Sequence, residues 1–592
     1  MSRHQSGRAV GIDLGTTYTA VAYVDDYGKP VVLKNSEGQI TTPSVVFVEA
    51  PHYVVGEVAL QATLTDPDRV VQFIKRFMGV KGYRARVAER EFSPEFVSSL
   101  ILRKVVQEAA ATLGETISAA VITVPAYFTE AQRQATYDAA VLAGIEVLRL
   151  INEPTAAALS YGLTQQLASA PAISNPALEP REITYRGRKI AVSNGAARGG
   201  GLREIHYRGR KIAVGGGDGT SSPSSNSAAN ALPEQGRRVL VYDLGGGTFD
   251  LTVLSITPHS LDVLAVGGEP FLGGKDWDDV LLNFLEERFE KIYGAPLHPD
   301  AALEAELRLK VEAAKRQLSG RPSVPITFKT RMVVNQKSGE GERDLESVVP
   351  IRLDIARSEF ELLTSHLLER TQGCLENVLE QAHLAWSDID EILCVGGSSR
   401  MPMVSKMLTR LSGRAPLLHD PDECVAKGAA LQAALILNDS HVRATHISHV
   451  LPHSLGVAAK RANGNGESTL RIEHVIPALT PLPCARVRNE FTTTLDDQIA
   501  VEVHIYEGES GDPDAYPEGP IGTFHLDVSP PRPKGQPKIR VEFRCDENGG
   551  VVALARDEDT GRESRAFISL GSSRSNAEMQ RESQWLAEAI VA

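Results

Sequence analysis

At 592 residues the chain exceeds what one hydrophobic core supports, so two to four domains are expected. Its 42% hydrophobic and 23% charged residues exclude a disordered or fibrous polypeptide. A net charge of −13 argues against a nucleic-acid binder, whose surface must meet phosphates with positive charge.

The opening MSRHQSGRAVGIDLG has no apolar core of signal-peptide length, and the longest later apolar run, AALQAALIL (429–437), is too short for a bilayer. Five cysteines (374, 394, 424, 484, 545) include no C-x-x-C pair, so they read as buried thiols rather than a disulfide framework or zinc site. A cytoplasmic protein without membrane contact is expected.

Residues 8–24 predict strand, glycine turn and strand; residues 119–125 predict another strand, then a helix over 129–144 and one starting near Pro154. The segment 163–238 is rich in Ser, Gly, Ala, Asn and Pro and buries too little apolar surface to fold alone. It holds REITYRGRKIAV (181–192) and REIHYRGRKIAV (203–214), near-copies that differ only at Thr184 and His206 and that each read as a small hairpin. Nine Arg/Lys against two Glu in 181–211 suit an acidic partner; the plainer reading is a duplication tolerated in a surface loop.

A second strand–glycine–strand unit follows at 239–256, then helices over 277–293 and 301–318, and a strand, glycine turn and helix over 391–408. Alternating strands and helices indicate an α/β core. After about residue 450, runs such as IAVEVHIYEGE (499–509), TFHLDV (523–528) and KIRVEFR (538–544) indicate a β-sandwich. Residues 575–592 carry one helix's worth of periodicity.

Two segments share one design, DLGTT (Asp13–Thr17) and DLGGGTFD (Asp243–Asp250). Glycines permit a tight hairpin whose N–H groups point at phosphate oxygens, and an Asp at the strand end can hold magnesium through water. Two such hairpins facing each other would clamp a triphosphate. The third turn, VGGSSR (395–400), opens a helix whose N-terminus would hold the rest of a nucleotide. Glu312, Lys315, Arg316 and Ser319 share one helix face. By themselves they suit a surface ion-pair face, and Lys75 by itself suits a solvated lysine.

VITVPAYFTEAQRQATYDAAVLAGIEVLRLINEPTAAALSYG (121–162), VYDLGGGTFDL, VEAAKRQLS (311–319) and DPDECVAKGAALQAA (420–434) together resemble the seventy-kilodalton heat-shock chaperones of the DnaK type. The resemblance implies an actin-like, ribonuclease H-like duplicated, two-lobed ATPase domain over 8–438 with 163–238 inserted. It further implies a linker at 439–449, a peptide-binding sandwich at 450–572 and a helix stub at 573–592. It implies ATP hydrolysis with Mg2+, possible K+ use being carried by the resemblance as well, and client peptides, a J-domain co-chaperone and an exchange factor as partners.

Transferred onto this sequence, Asp13 and Asp243 hold the magnesium shell, mainly through water. Gly15, Thr16, Thr17, Tyr18 and the Gly245, Gly246, Gly247, Thr248 turn contact phosphates. Lys75 positions the attacking water, with Glu153, Asp243, Thr248 and Asp250 completing the network. Gly274, Glu312, Lys315, Arg316, Ser319, Gly396, Gly397, Ser398, Arg400 and Asp422 resemble the remaining nucleotide site. Val457, Phe491 and Val501 would line the peptide pocket; by alternation alone they are ordinary sandwich core.

The sequence departs from the family at three places. Lys460 stands at the large apolar arch position, and ATHISHVLP (444–452) puts His446, Ser448 and His449 where the linker has leucines and an aspartate. Each missing Leu removes roughly 1.5–3 kcal/mol of possible burial, which puts coupling in doubt. The expected lid is cut to one helix, which implies fast peptide exchange. Competing readings are a small-molecule kinase of the same architecture, which would carry neither INEPTAAALSYG nor a sandwich, and a nucleotide-binding scaffold that barely turns over and holds one dedicated partner.

Overall fold

The computed structural model describes residues 8–169, 182–185, 188–191, 204–207, 210–213, 236–297, 299–338, 341–462, 468–547, 549–568 and 576–592. Two sheets are built on one plan. In the first, the hydrogen-bonded order is Glu146–Asn152, Ile117–Val124, Arg8–Leu14, Tyr18–Val24, Pro30–Val32. In the second it is Leu417–Leu418, Glu391–Val395, Arg237–Leu244, Phe249–Ile256, Ser260–Glu269. Each begins as an antiparallel meander of three strands, and two later strands join parallel to the first. The duplication therefore extends beyond the glycine motifs to the whole sheet order.

Local chemistry fixes the helices. Thr129 and Gln132 form a capping box that starts Glu130–Leu142, and the Asp300 side chain accepts from the Leu303 N–H at the start of Ala301–Gly320. The helix Cys424–Ile436 lies on the first sheet through Ala20, Ala22, Ala426 and Ala430. It crosses the helix Glu153–Ser169 so closely that a Cβ on Gly428 would sit 1.8 Å from the Ala156 carbonyl oxygen. Small residues let these two backbones touch. The VGGSSR segment differs from expectation: Gly397–Arg400 is a 3-10 turn, and the α-helix begins only at Pro402, whose fixed φ suits a first helical turn.

Beyond residue 450 two four-stranded antiparallel sheets pack face to face. Val457, Ile505 and Leu526 of one sheet share a core with Val541, Phe543 and Ala553 of the other. The terminal helix spans Asn576–Glu588, and Ile590–Val591 leave it to form a strand. No helix among the described residues is long and apolar enough to cross a membrane.

The segment linking lobes and sandwich docks despite its missing leucines. His446–Val450 forms a strand parallel to Ser260–Asp262, and Ser448 Oγ donates to Asp262 Oδ1 at 2.8 Å. Val450 and Leu451 are buried. Backbone pairing and a side-chain hydrogen bond thus take over what leucine burial would have supplied. The sandwich also meets the first lobe directly: the Glu130 N–H donates to the Glu507 carboxylate at 3.1 and 3.2 Å, His453 Nε2 lies 3.2 Å from the Tyr127 carbonyl oxygen, and Arg149 pairs with Glu547 at 3.1 Å.

Burial pushes Glu130 up to about 8 and raises Glu507, while burial holds His449 down to about 3. A carboxyl raised this way favours docking while protonated, and that contribution is lost as pH rises from about 4.5 through about 8. Of the groups facing this contact, Arg133 opposes the rise of both carboxyls and His453 that of Glu507, Asp546 adds to the rise of Glu130, Arg133 and Arg149 hold His449 further down, and Glu547 pairs with Arg149. Hydrogen exchange of 446–450 should therefore be faster at pH 8.5 than at pH 6.5 once corrected for intrinsic rates, and the difference should shrink in Glu130→Gln.

The chain divides into two units, of which the second is Gly162–Leu232. Its two near-copies are hairpins of identical register, Glu182↔Ala191 and Glu204↔Ala213. Deleting 165–235 is expected to leave ATP affinity within a few-fold of the parent, read by nucleotide titration. A larger loss would make the insertion part of the nucleotide fold.

Candidate functional site

The duplicated sheets carry their aspartates to equivalent positions. Asp13 pairs with Ala20 near the end of one first strand, and Asp243 pairs with Asp250 near the end of the other. The glycine hairpins beyond them face each other across the lobes. A Cβ on Gly246 would lie 1.9 Å from Thr17 Oγ1, and one on Gly247 would lie 2.4, 2.7 and 2.8 Å from three side-chain atoms of Thr16. Only glycine permits that approach.

Between the hairpins opens a cavity of about 420 Å3, within the size range of small-molecule sites. It is lined by Asp13, Gly15, Thr16, Thr17, Tyr18, Lys75, Glu153, Asp243, Gly245, Gly246 and Thr248, and by Glu312, Lys315, Arg316, Ser319, Gly396, Gly397, Ser398, Arg400 and Asp422. Three expected residues stand just behind this lining. Gly247 packs on Thr16, Asp250 accepts the Tyr127 N–H at 3.2 Å, and Gly274 donates its N–H to the Gly245 carbonyl at 2.9 Å.

At the cavity floor Lys75 is buried, not solvated. It forms an ion pair with Glu153 and lies 5.8 Å from the Phe128 ring centre. Burial, then the nearby Glu153 charge, raises Asp13 to about 7, and the same two causes raise Asp250 to about 7. Asp243 goes up well above the usual carboxylate range, through burial and repulsion from Glu153, Asp250 and Asp13. Lys75 opposes the shift in all three. Four carboxylates thus share one ammonium, an excess of negative charge that a cation would relieve. Among the described residues no three His, Cys, Asp or Glu side chains converge to ligate an ion directly.

At the other end, Arg316 bridges the lobes: its guanidinium donates to Tyr18 Oη at 2.9 Å, stacks 5.1 Å from that ring's centre and pairs with Glu312. Lys315 Nζ donates to the Gly274 carbonyl and to Asp278, each at 2.7 Å. Ser398 Oγ donates to the Gly245 carbonyl at 2.9 Å, and Arg400 pairs with Asp422. Burial, outweighing Lys315, lifts Asp278 to about 6.

Several residues here escaped sequence reasoning. Arg76 donates to the Gly247 carbonyl at 2.9 Å and pairs with Asp276, which accepts the Gly273 N–H at 2.7 Å. It thereby fastens the second hairpin to the first lobe. Phe73, Lys275 and Asp278 also line the cavity. The acidic and basic residues of GGKDWDD (273–279), following a glycine pair, were the available signal.

The proposed peptide residues fall in the sandwich core. Val457 is 3% exposed, with Phe491 and Val501 partly buried against the same core.

Comparison with known proteins follows the same outline. A family model described as Hsp70 protein matches residues 9–90, 81–173 and 225–589, passing over both near-copies. The chain is 36% identical over 565 residues to the chaperone protein DnaK of Thermotoga neapolitana, a match that covers 94% of this chain and 80% of that protein. The chain belongs to the Hsp70 family of chaperones.

Proposed function

We propose that this chaperone hydrolyses ATP between two actin-like lobes and couples hydrolysis to the binding of extended peptides by its β-sandwich. The observation that carries the reading is the group Asp13, Glu153, Asp243 and Asp250 around buried Lys75, at the floor of a cavity framed by facing glycine hairpins. Phosphoryl transfer to water asks for positioning and charge neutralisation rather than a covalent intermediate; this set supplies positioning groups and an acidic seat for a neutralising cation.

The carboxylate excess fits a divalent cation such as Mg2+, which Asp13 and Asp243 would hold mainly through water. When bound, the ion supplies neutralisation of charge on the phosphates. Lys75 and Glu153, held against each other, orient a water for in-line attack, and Thr16, Thr17 and Thr248 present hydroxyls to the phosphates. Asp250, braced by the Tyr127 N–H, keeps Asp243 and the water network in place. Glu312, Lys315, Arg316, Ser319 and the Gly396–Arg400 turn would enclose the nucleoside.

In the sandwich, Val457, Phe491 and Val501 would meet an apolar side chain of an extended peptide whose backbone pairs with a strand edge. A J-domain protein and an exchange factor remain expected partners by family. The docked strand His446–Val450 supports coupling, since it belongs to the second lobe's sheet and leads straight into the sandwich. Phosphate release that requires Mg2+ and stops on chelation supports the ATPase reading; magnesium-independent turnover contradicts it.

A further inference from the structure

The last described segment binds the nucleotide lobes. Ile590–Val591 adds a parallel strand to the edge formed by His52–Val55, with Ile590↔His52 and Val591↔Tyr53 in register. The Ile590 N–H donates to the Pro51 carbonyl at 3.0 Å, the Ala592 N–H to the Tyr53 carbonyl at 2.9 Å, and the Val55 N–H to the Ala592 carbonyl at 3.0 Å. An otherwise open sheet edge is thereby covered by the chain itself.

Side chains anchor the helix before it. Trp585 sits edge-on to Phe92 and Phe96, with ring centres 6.0 Å from each. Leu586 and Ala589 join the first lobe's core. Buried Glu582 accepts from the Ser93 hydroxyl at 3.0 Å and from its N–H at 3.4 Å, at the residue that caps the helix Pro94–Leu113. A carboxylate at that helix start also meets the positive end of the backbone dipole.

We infer that residues 576–592 are a clasp, a strand-adding ligand of the chain's own first lobe that ties the far end of the sandwich to the nucleotide domain. The sandwich enters from the second lobe's sheet through His446–Val450 and its last strand ends at Ile568, so the clasp gives it a second attachment. Two attachments raise the effective concentration of the sandwich at its docking surface without any new contact there. Release of the clasp therefore loosens a contact it does not touch. Its grip is short, one two-residue strand and a few anchors, which suits a reversible device.

Hydrogen exchange on the full chain tests this. In Trp585→Ala, and separately in Glu582→Gln, the amides of Val55, Ile590 and Ala592 should exchange about tenfold faster or more, and so should the linker strand 446–450. Strands 8–14 and 117–124 should keep their protection. A synthetic peptide of residues 576–592 added in excess should restore protection at Val55 but not at 446–450, because it covers the edge without tethering the sandwich. Unchanged linker exchange after the clasp opens would overturn the inference, as would rescue of both regions by the free peptide. Protection at Val55 that grows with protein concentration would assign the strand to a second copy and overturn it equally. None of these readouts depends on ATP turnover.

Discussion

Replacing Lys75 by alanine is expected to lower ATP turnover by about 10²–10³-fold while ATP affinity stays within a few-fold of the parent. The lysine is 3% exposed, pairs with Glu153, and is the cation that holds down Asp13, Asp243 and Asp250. Its loss removes the group proposed to orient water and leaves four carboxylates with no protein cation between them. Uncompensated buried charge costs about 3–5 kcal/mol when one partner of a pair is removed, so the variant should also melt at lower temperature without magnesium and nucleotide. Magnesium and ADP should recover part of that loss, because cation binding relieves the same repulsion. Single-turnover phosphate release and calorimetric melting read the two effects separately. Unchanged turnover would return Lys75 to a purely structural ion pair with Glu153.

The second large effect is steric. In Gly247→Ala the new Cβ would lie within 2.8 Å of three Thr16 atoms, including Thr16 Cβ, so no rotation of the threonine relieves the clash. The hairpins must part, and the phosphate-facing groups of the two lobes lose their common centre. ATP affinity should fall by about tenfold to a hundredfold, roughly 1.4 kcal/mol per factor of ten. The double variant Thr16→Gly with Gly247→Ala should regain part of the affinity, a positive coupling in a double-mutant cycle. Additive losses would mean that the hairpins do not close on the nucleotide as proposed.

What was legible in the sequence was local. DLGTT and DLGGGTFD each specify a turn within a few residues, and the Glu312–Ser319 face follows from helix periodicity alone. Their meeting in one cavity came from the family resemblance, since nothing local links Tyr18 to Arg316. Arg76 was missed because its partners, Gly247 and Asp276, lie 171 and 200 residues away. The strand at Ile590–Val591 was hidden for the same reason: its partner is His52–Tyr53, and the two residues carry no alternation of their own. Linker docking was not legible in its leucine content. Counting leucines measures apolar burial, whereas His446–Val450 docks by backbone pairing, to which side-chain hydropathy is blind.

In the proposed coupling, ATP turnover between the lobes answers to peptide held by the sandwich. Steady-state phosphate release with Mg2+, measured with and without an extended apolar peptide, tests it most directly. Turnover should rise with peptide, saturate, and fall about 10²–10³-fold in both conditions in Lys75→Ala. ATP binding without turnover, or turnover indifferent to peptide at every concentration, would contradict it.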